Sequence, residues 1–125
     1  MTSRRTKQKR DAKYVEAGRH MRHVGQVIQK LEPELTALKP RVVRTKYLGP
    51  FGGAPEDFDV SFVFSTRRDA RNGETSGALE RASKLLLDGL RNDGYPPDAL
   101  STFRFRAISE EEIKDAGGEW AFDRS

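Results

Sequence analysis

Cysteine is absent from all 125 residues. A disulfide framework, a thiolate metal site and a thiol nucleophile are therefore excluded together. Long hydrophobic runs are missing as well. The longest apolar stretches are a few residues, far short of the roughly twenty needed to span a bilayer, and the N-terminus lacks the apolar stretch of a secretory signal. The sequence predicts no membrane association and a cytoplasmic location. Histidine occurs only twice, and both, His20 and His23, fall in the first helical stretch. Apolar residues make up 35% and charged residues 34%, so the chain is unusually polar, but its aromatics and leucines recur periodically enough to predict one core.

Charge of one sign is concentrated at one end. Residues 1–24 hold eight cations, Arg4, Arg5, Lys7, Lys9, Arg10, Lys13, Arg19 and Arg22, against Asp11 and Glu16, a net +6 within a total of +4. The rest of the chain is thus slightly acidic. Residues 1–10 contain no large apolar side chain except Met1 and read as a disordered basic arm, preceding a single α+β domain over 11–125. A basic arm on a near-neutral body suits an anionic partner.

From Tyr14 the apolar positions Tyr14, Ala17, Met21, Val24, Ile28, Leu31, Leu35 and Leu38 follow at alternating steps of three and four, a heptad seam on one helix face. Gly18, Gly25 and Pro33 oppose a long straight helix, and Pro33 predicts a kink or break near Glu32. Residues 41–48 read as an edge strand. After the Gly/Pro loop 49–55, Phe58, Val60, Phe62 and Phe64 alternate with Asp57, Asp59, Ser61, Val63 and Ser65 as a second strand. Asn72-Gly73 predicts a turn. Leu79, Ala82, Leu86, Leu87 and Leu90 then trace a helix closed by Gly94, with Pro96-Pro97 beyond. Phe103 to Ile108 alternate as a third strand. Ser109 followed by Glu112 is a capping box, and Gly117-Gly118 ends its short helix. Glu119 to Phe122 read as a fourth strand. The expected fold is a two-layer α+β sandwich of order α-β-β-α-β-short α-β, a mostly antiparallel four-stranded sheet with helices on one face.

The chemical constellations reduce to structural explanations. Glu16, His20 and His23 share a helix face and could hold zinc, but no HExxH is present and such pairs are ordinary on solvated helices. Asp57 and Asp59 could share magnesium, yet the lysine that a nuclease would place beside them is absent, and Arg104 and Arg106 can pair with them across the sheet. The glycines of 49–55 lack the GK[ST] and helix start of a phosphate loop. No serine lies in GxSxG or SxxK. Phe103 and Phe105 are expected in the core, since the RNP pattern of an RNA-reading sheet is missing. No motif matches a family closely enough to carry residues across, and neither a cofactor nor a metal site is expected.

Two features remain. The seam residues Tyr14, Met21, Val24, Ile28 and Leu31 can mate with a protein partner or a second copy, unless they pack on their own sheet. The cations Arg4, Arg5, Lys7, Lys9, Arg10 and Lys13 can contact an anion or nucleic-acid backbone. The expected function is a non-enzymatic protein-interaction module with a basic N-terminal arm. Nucleic-acid backbone binding is the alternative, and a metal-dependent enzyme ranks third.

Overall fold

Alternate apolar residues commit one strand to a core, and two more strands pair with it in the computed structural model, which describes residues 2–50, 55 and 57–124, with side chains from residue 17 onward. The elements are α1 (Thr2–Thr36), β1 (Arg44–Leu48), β2 (Asp59–Phe64), α2 (Arg67–Ser76), α3 (Ala78–Asn92), a 3-10 turn (Pro97–Thr102), β3 (Arg104–Ser109), α4 (Glu110–Asp115) and α5 (Glu119–Arg124). The α+β class is as expected.

The sheet differs from expectation in three respects. It has three described strands, in the order β1-β2-β3. It is mixed, with β1 antiparallel to β2 and β2 parallel to β3. Helices lie on both faces. The connection between β2 and β3 carries α2 and α3, and a helical crossover is what joins neighbouring parallel strands. A strand paired on both edges and covered on both faces loses the alternation of a half-exposed strand. Ser61 and Val63, expected to face water, are accordingly buried beside Val60, Phe62 and Phe64.

On the inner face, Val60, Phe62 and Phe64 meet Val24, Val27 and Leu35 of α1 and Ala82, Leu86 and Leu90 of α3 in the main core. The rings of Phe62 and Phe105 stack at 5.9 Å, and Phe58 and Phe103 lie 5.0 Å apart. On the outer face Val63, Ile108 and Ile113 form a second, smaller cluster, against which Phe122 packs.

Helix α1 continues through Pro33 to Thr36, correcting the break expected near Glu32. Proline removes one amide only three residues before the helix ends, and burial of Leu35 holds the last turn down. Asn72-Gly73 makes no turn. Both residues lie inside α2, whose N-cap Thr66 accepts a hydrogen bond from the Asp69 amide. The chain turns instead at Gly77, at φ 87°, where α2 ends and α3 begins. Glu119–Arg124, expected to begin as a strand, is helical. Its acidic residues Glu119 and Asp123 both reach Lys46 on the sheet, an arrangement given by one helical step of four. The capping box is present as expected: Ser109 Oγ accepts from the Glu112 amide, and the Ser109 amide donates to Glu112 Oε2 at 2.8 Å.

Candidate functional site

Beyond Thr36 the chain reverses, and the Val42 amide donates to the Leu35 carbonyl. This return lays β1 alongside the last turns of α1. Tyr47 of β1 reaches the helix at Gly25, where any Cβ would collide with the tyrosine hydroxyl. The helix-weakening glycine is therefore what lets the strand and helix approach. Between them runs a cleft of about 220 Å³, lined by Ile28, Leu35 and Val42, with Gln29, Thr36, Arg44 and Thr45 among its polar groups. Strand β1 is an edge of the sheet, so this apolar cleft adjoins an element whose second side has no neighbouring strand among the described residues.

The predicted seam is divided by this arrangement. Val24 is fully buried in the core, and Leu31 packs against it half-buried. Ile28, also half-buried, lines the cleft. Met21 is 38% exposed. Tyr14 lies outside the described side chains. The buried stripe in fact runs through Val24, Val27 and Leu35, with Gly89 of α3 closely apposed to Val27 and Leu31. Val27, which the heptad spacing passes over, is part of it. The seam thus packs on its own domain over part of its length.

Arg4, Arg5, Lys7, Lys9, Arg10 and Lys13 fall within the span of α1, but their side chains lie outside the described set, as does that of Glu16. Further along, Arg19, Arg22, His23 and Gln26 border a shallow depression with Asp93. His23 Nε2 lies 2.8 Å from Asp93 Oδ2, with Lys30 Nζ 3.6 Å from the other oxygen. The hydrogen bond with His23 first, and the nearby Lys30 charge second, hold the Asp93 carboxyl below its ordinary range. His20 and His23 both set their rings against Tyr95, at 5.7 and 5.3 Å. His20 Nε2 is buried without a hydrogen-bond partner among the described residues. No group of three metal-ligating side chains occurs among those residues. The loop glycines at 52 and 53 lie outside the described residues.

The outer face of the sheet is dominated by cations. Lys46 on β1 and Arg106 on β3 flank Ser61 of β2, Arg104 on β3 stands beside Asp59, and Arg44 on β1 lies opposite Val63. Arg104 Nε donates to Asp59 at 2.5 Å and Arg106 Nε to Ser61 Oγ at 2.8 Å. This bears out the cross-strand pairing for Asp59 and gives Arg106 a hydroxyl in place of a carboxylate. Helix α5 lies over this face. Lys46 Nζ is 2.8 Å from Glu119 and 2.6 Å from Asp123, and Arg44 pairs with Glu119 and with Glu110 of α4. The Phe122 ring sits 5.5 Å from the Lys46 ammonium and 5.6 Å from the Arg106 guanidinium, within cation–π range. Hydrogen bonds from Lys46 and then Arg44 hold the Glu119 carboxyl below its ordinary range. For Lys46 burial pulls the other way, yet hydrogen bonds to Asp123 and Glu119 prevail and raise its pKa. Hydrogen bonding to Glu110 is the main influence raising that of Arg44.

No family model, curated protein or solved structure matches this chain. Function must therefore be argued from these surfaces. No described helix is long and apolar enough to cross a membrane. Sequence reasoning missed the α1–β1 cleft because its two walls are separated by the chain reversal. The one trace of it in the sequence was a glycine in a helix, Gly25, and an aromatic in the strand beyond the reversal, Tyr47, which are remote from each other in the chain.

Proposed function

We propose that this chain is a non-enzymatic protein-interaction module that takes an extended segment of a protein partner into the cleft between α1 and β1. The observation that carries this is the apolar floor of Ile28, Leu35 and Val42 beside an edge strand. An edge strand supplies main-chain hydrogen bonds to an incoming strand, and a cleft beneath it selects alternate side chains. The polar rim of Gln29, Glu32, Thr36, Arg44 and Thr45 suits a peptide backbone better than a purely apolar ligand. Peptides selected from a random display library on the immobilised full chain test this. The reading requires that they slow amide exchange in residues 44–48, and that Ile28→Asp weakens them at least about tenfold, a loss of ~1.4 kcal/mol. Light scattering of the same samples separates a hetero-partner from a second copy pairing through β1. Binders that leave the β1 amides unprotected would overturn the reading.

A second reading concerns the opposite end of α1. Six cations from Arg4 to Lys13 fall in its helical span, and the exposed Arg19 and Arg22 continue the run, a charge density suited to phosphate backbone. Replacing Arg4, Arg5, Lys7, Lys9, Arg10 and Lys13 by glutamine in the full chain should abolish retention on RNA or DNA and remove its salt dependence. Equal retention by both chains would dispose of it.

A further inference from the structure

The contact between α5 and the sheet has the composition of a ligand in a binding site. Across three strands, Lys46, Ser61 and Arg106 stand side by side in register. A hydroxyl is thereby flanked by an ammonium and a guanidinium. Above this row α5 sets one aromatic ring between two carboxylates: Phe122 against both cations, Glu119 and Asp123 against Lys46.

Beyond these contacts, the Arg44–Glu119 ion pair and the packing of Phe122 on the Val63, Ile108 and Ile113 cluster, little holds the helix. It is six residues long, with no fully buried side chain, and Trp120 is 73% exposed. A helix this short has no stability of its own in water. It follows Gly117 and Gly118, both at positive φ (101° and 108°), and Gly118 has open space where a Cβ would stand. Such a joint lets the segment swing with little steric hindrance. Were α5 to lift, Lys46 would lose both of its carboxylate partners, and Arg106, which has no carboxylate partner among the described residues, would be uncovered. Arg44 and Arg104 would still keep Glu110 and Asp59. The uncovered charge is therefore local to the row.

We propose that the Lys46–Ser61–Arg106 row is a binding site for an acidic, aromatic-bearing segment of a protein partner, and that α5 is the chain's own stand-in, displaced when the partner docks. The site is on the outer face of the sheet and does not depend on the α1–β1 cleft. An acidic peptide is favoured over a nucleic-acid strand because the occupant already seated there combines carboxylates with a phenyl ring at helical spacing. A ligand that must compete with a tethered copy of itself binds with an affinity reduced by the fraction of time the site is open.

Trp120 is the only tryptophan of the chain and lies on α5 itself, against Arg124 of the same helix, so its fluorescence anisotropy reports how freely that segment moves. The probe is an acetylated, dye-labelled peptide copying residues 117–125 with tryptophan replaced by leucine. Titrated into the intact chain, it should lower the Trp120 anisotropy as it binds. In E119Q/D123N, where the tether is weakened without loss of Phe122, it should bind about tenfold or more tightly, as expected if the closed state is at least ~90% populated. Adding K46Q/R106Q to that variant should remove binding, with circular dichroism showing an unchanged melt. An unchanged Trp120 signal at saturation, equal affinity of intact and opened chains, or a single-stranded oligonucleotide that binds the opened chain more tightly than the peptide would each overturn the proposal.

Discussion

Gly73 of α2 rests on the ring of Phe64 so closely that a Cβ at Gly73 would stand 2.6 Å from the ring's Cζ. Phe64 is fully buried, so the ring can yield only by moving against close-packed neighbours. Gly73→Ala would gain about 1 kcal/mol of helix propensity and lose more than that to overpacking of roughly 1–3 kcal/mol or above. The expected outcome is a net destabilisation, read from the midpoint of urea unfolding. An unchanged or higher midpoint would show that the α2–β2 contact yields.

Two positions of the predicted α1 seam should respond unequally to truncation. Leu35→Ala empties a buried position and should cost about 2–5 kcal/mol. Met21→Ala, at a position on the same predicted seam that is 38% exposed, should stay within about 0.5 kcal/mol of the parent. Similar losses at both sites would mean that Met21 is covered in solution, and would restore the upper seam as an association surface.

Ser109 is wholly buried and joined to Glu112 in both directions. Ser109→Ala should lower stability by about 1–2 kcal/mol through loss of the cap. Glu112→Gln keeps a side-chain acceptor for the Ser109 amide and should cost less. Chemical denaturation of the two variants side by side gives the comparison.

Acid should release α5. Glu119 has a folded pKa held below its ordinary value near 4.5 by Lys46 and Arg44. A depressed carboxylate contributes its stabilisation fully above the unfolded value and loses it as pH falls through the lower, folded one. Lys46 and Arg44 remain charged throughout this range, so the loss has one sign. Trp120 anisotropy should therefore hold constant at neutral pH and drop in the acid range below 4.5. In E119Q the drop should be smaller. Because Glu119 is nearly half exposed, added salt should weaken the same contact at neutral pH.

Much of the inner architecture was legible in local pattern. Phe58 to Phe64 alternate because successive strand residues face opposite sides, and Leu79 to Leu90 repeat at helical spacing because one face of α3 meets the sheet. Ser109 and Glu112 declare their cap within four residues. These features need no knowledge of distant neighbours. The candidate cleft was legible in one wall alone: Ile28 belongs to the seam, but nothing near it announces Val42. The phase of α1 could not be read, since a heptad seam and an ordinary buried face differ by about one residue and only contact with Gly89 of α3 selects Val27.

Composition and spacing by themselves determined that no thiol chemistry is available, that positive charge crowds the N-terminal end, and that aromatics of two strands and leucines of one helix share an interior. Tertiary structure alone decided that β3 runs parallel to β2, that Asn72-Gly73 stays helical, and that Glu119–Arg124 coils where its aromatics had suggested a strand. In each of these the local preference is worth about 1 kcal/mol or less, and the deciding contacts, a crossover through two helices, the Phe64 ring and the cations of the sheet's outer face, come from residues remote in the chain.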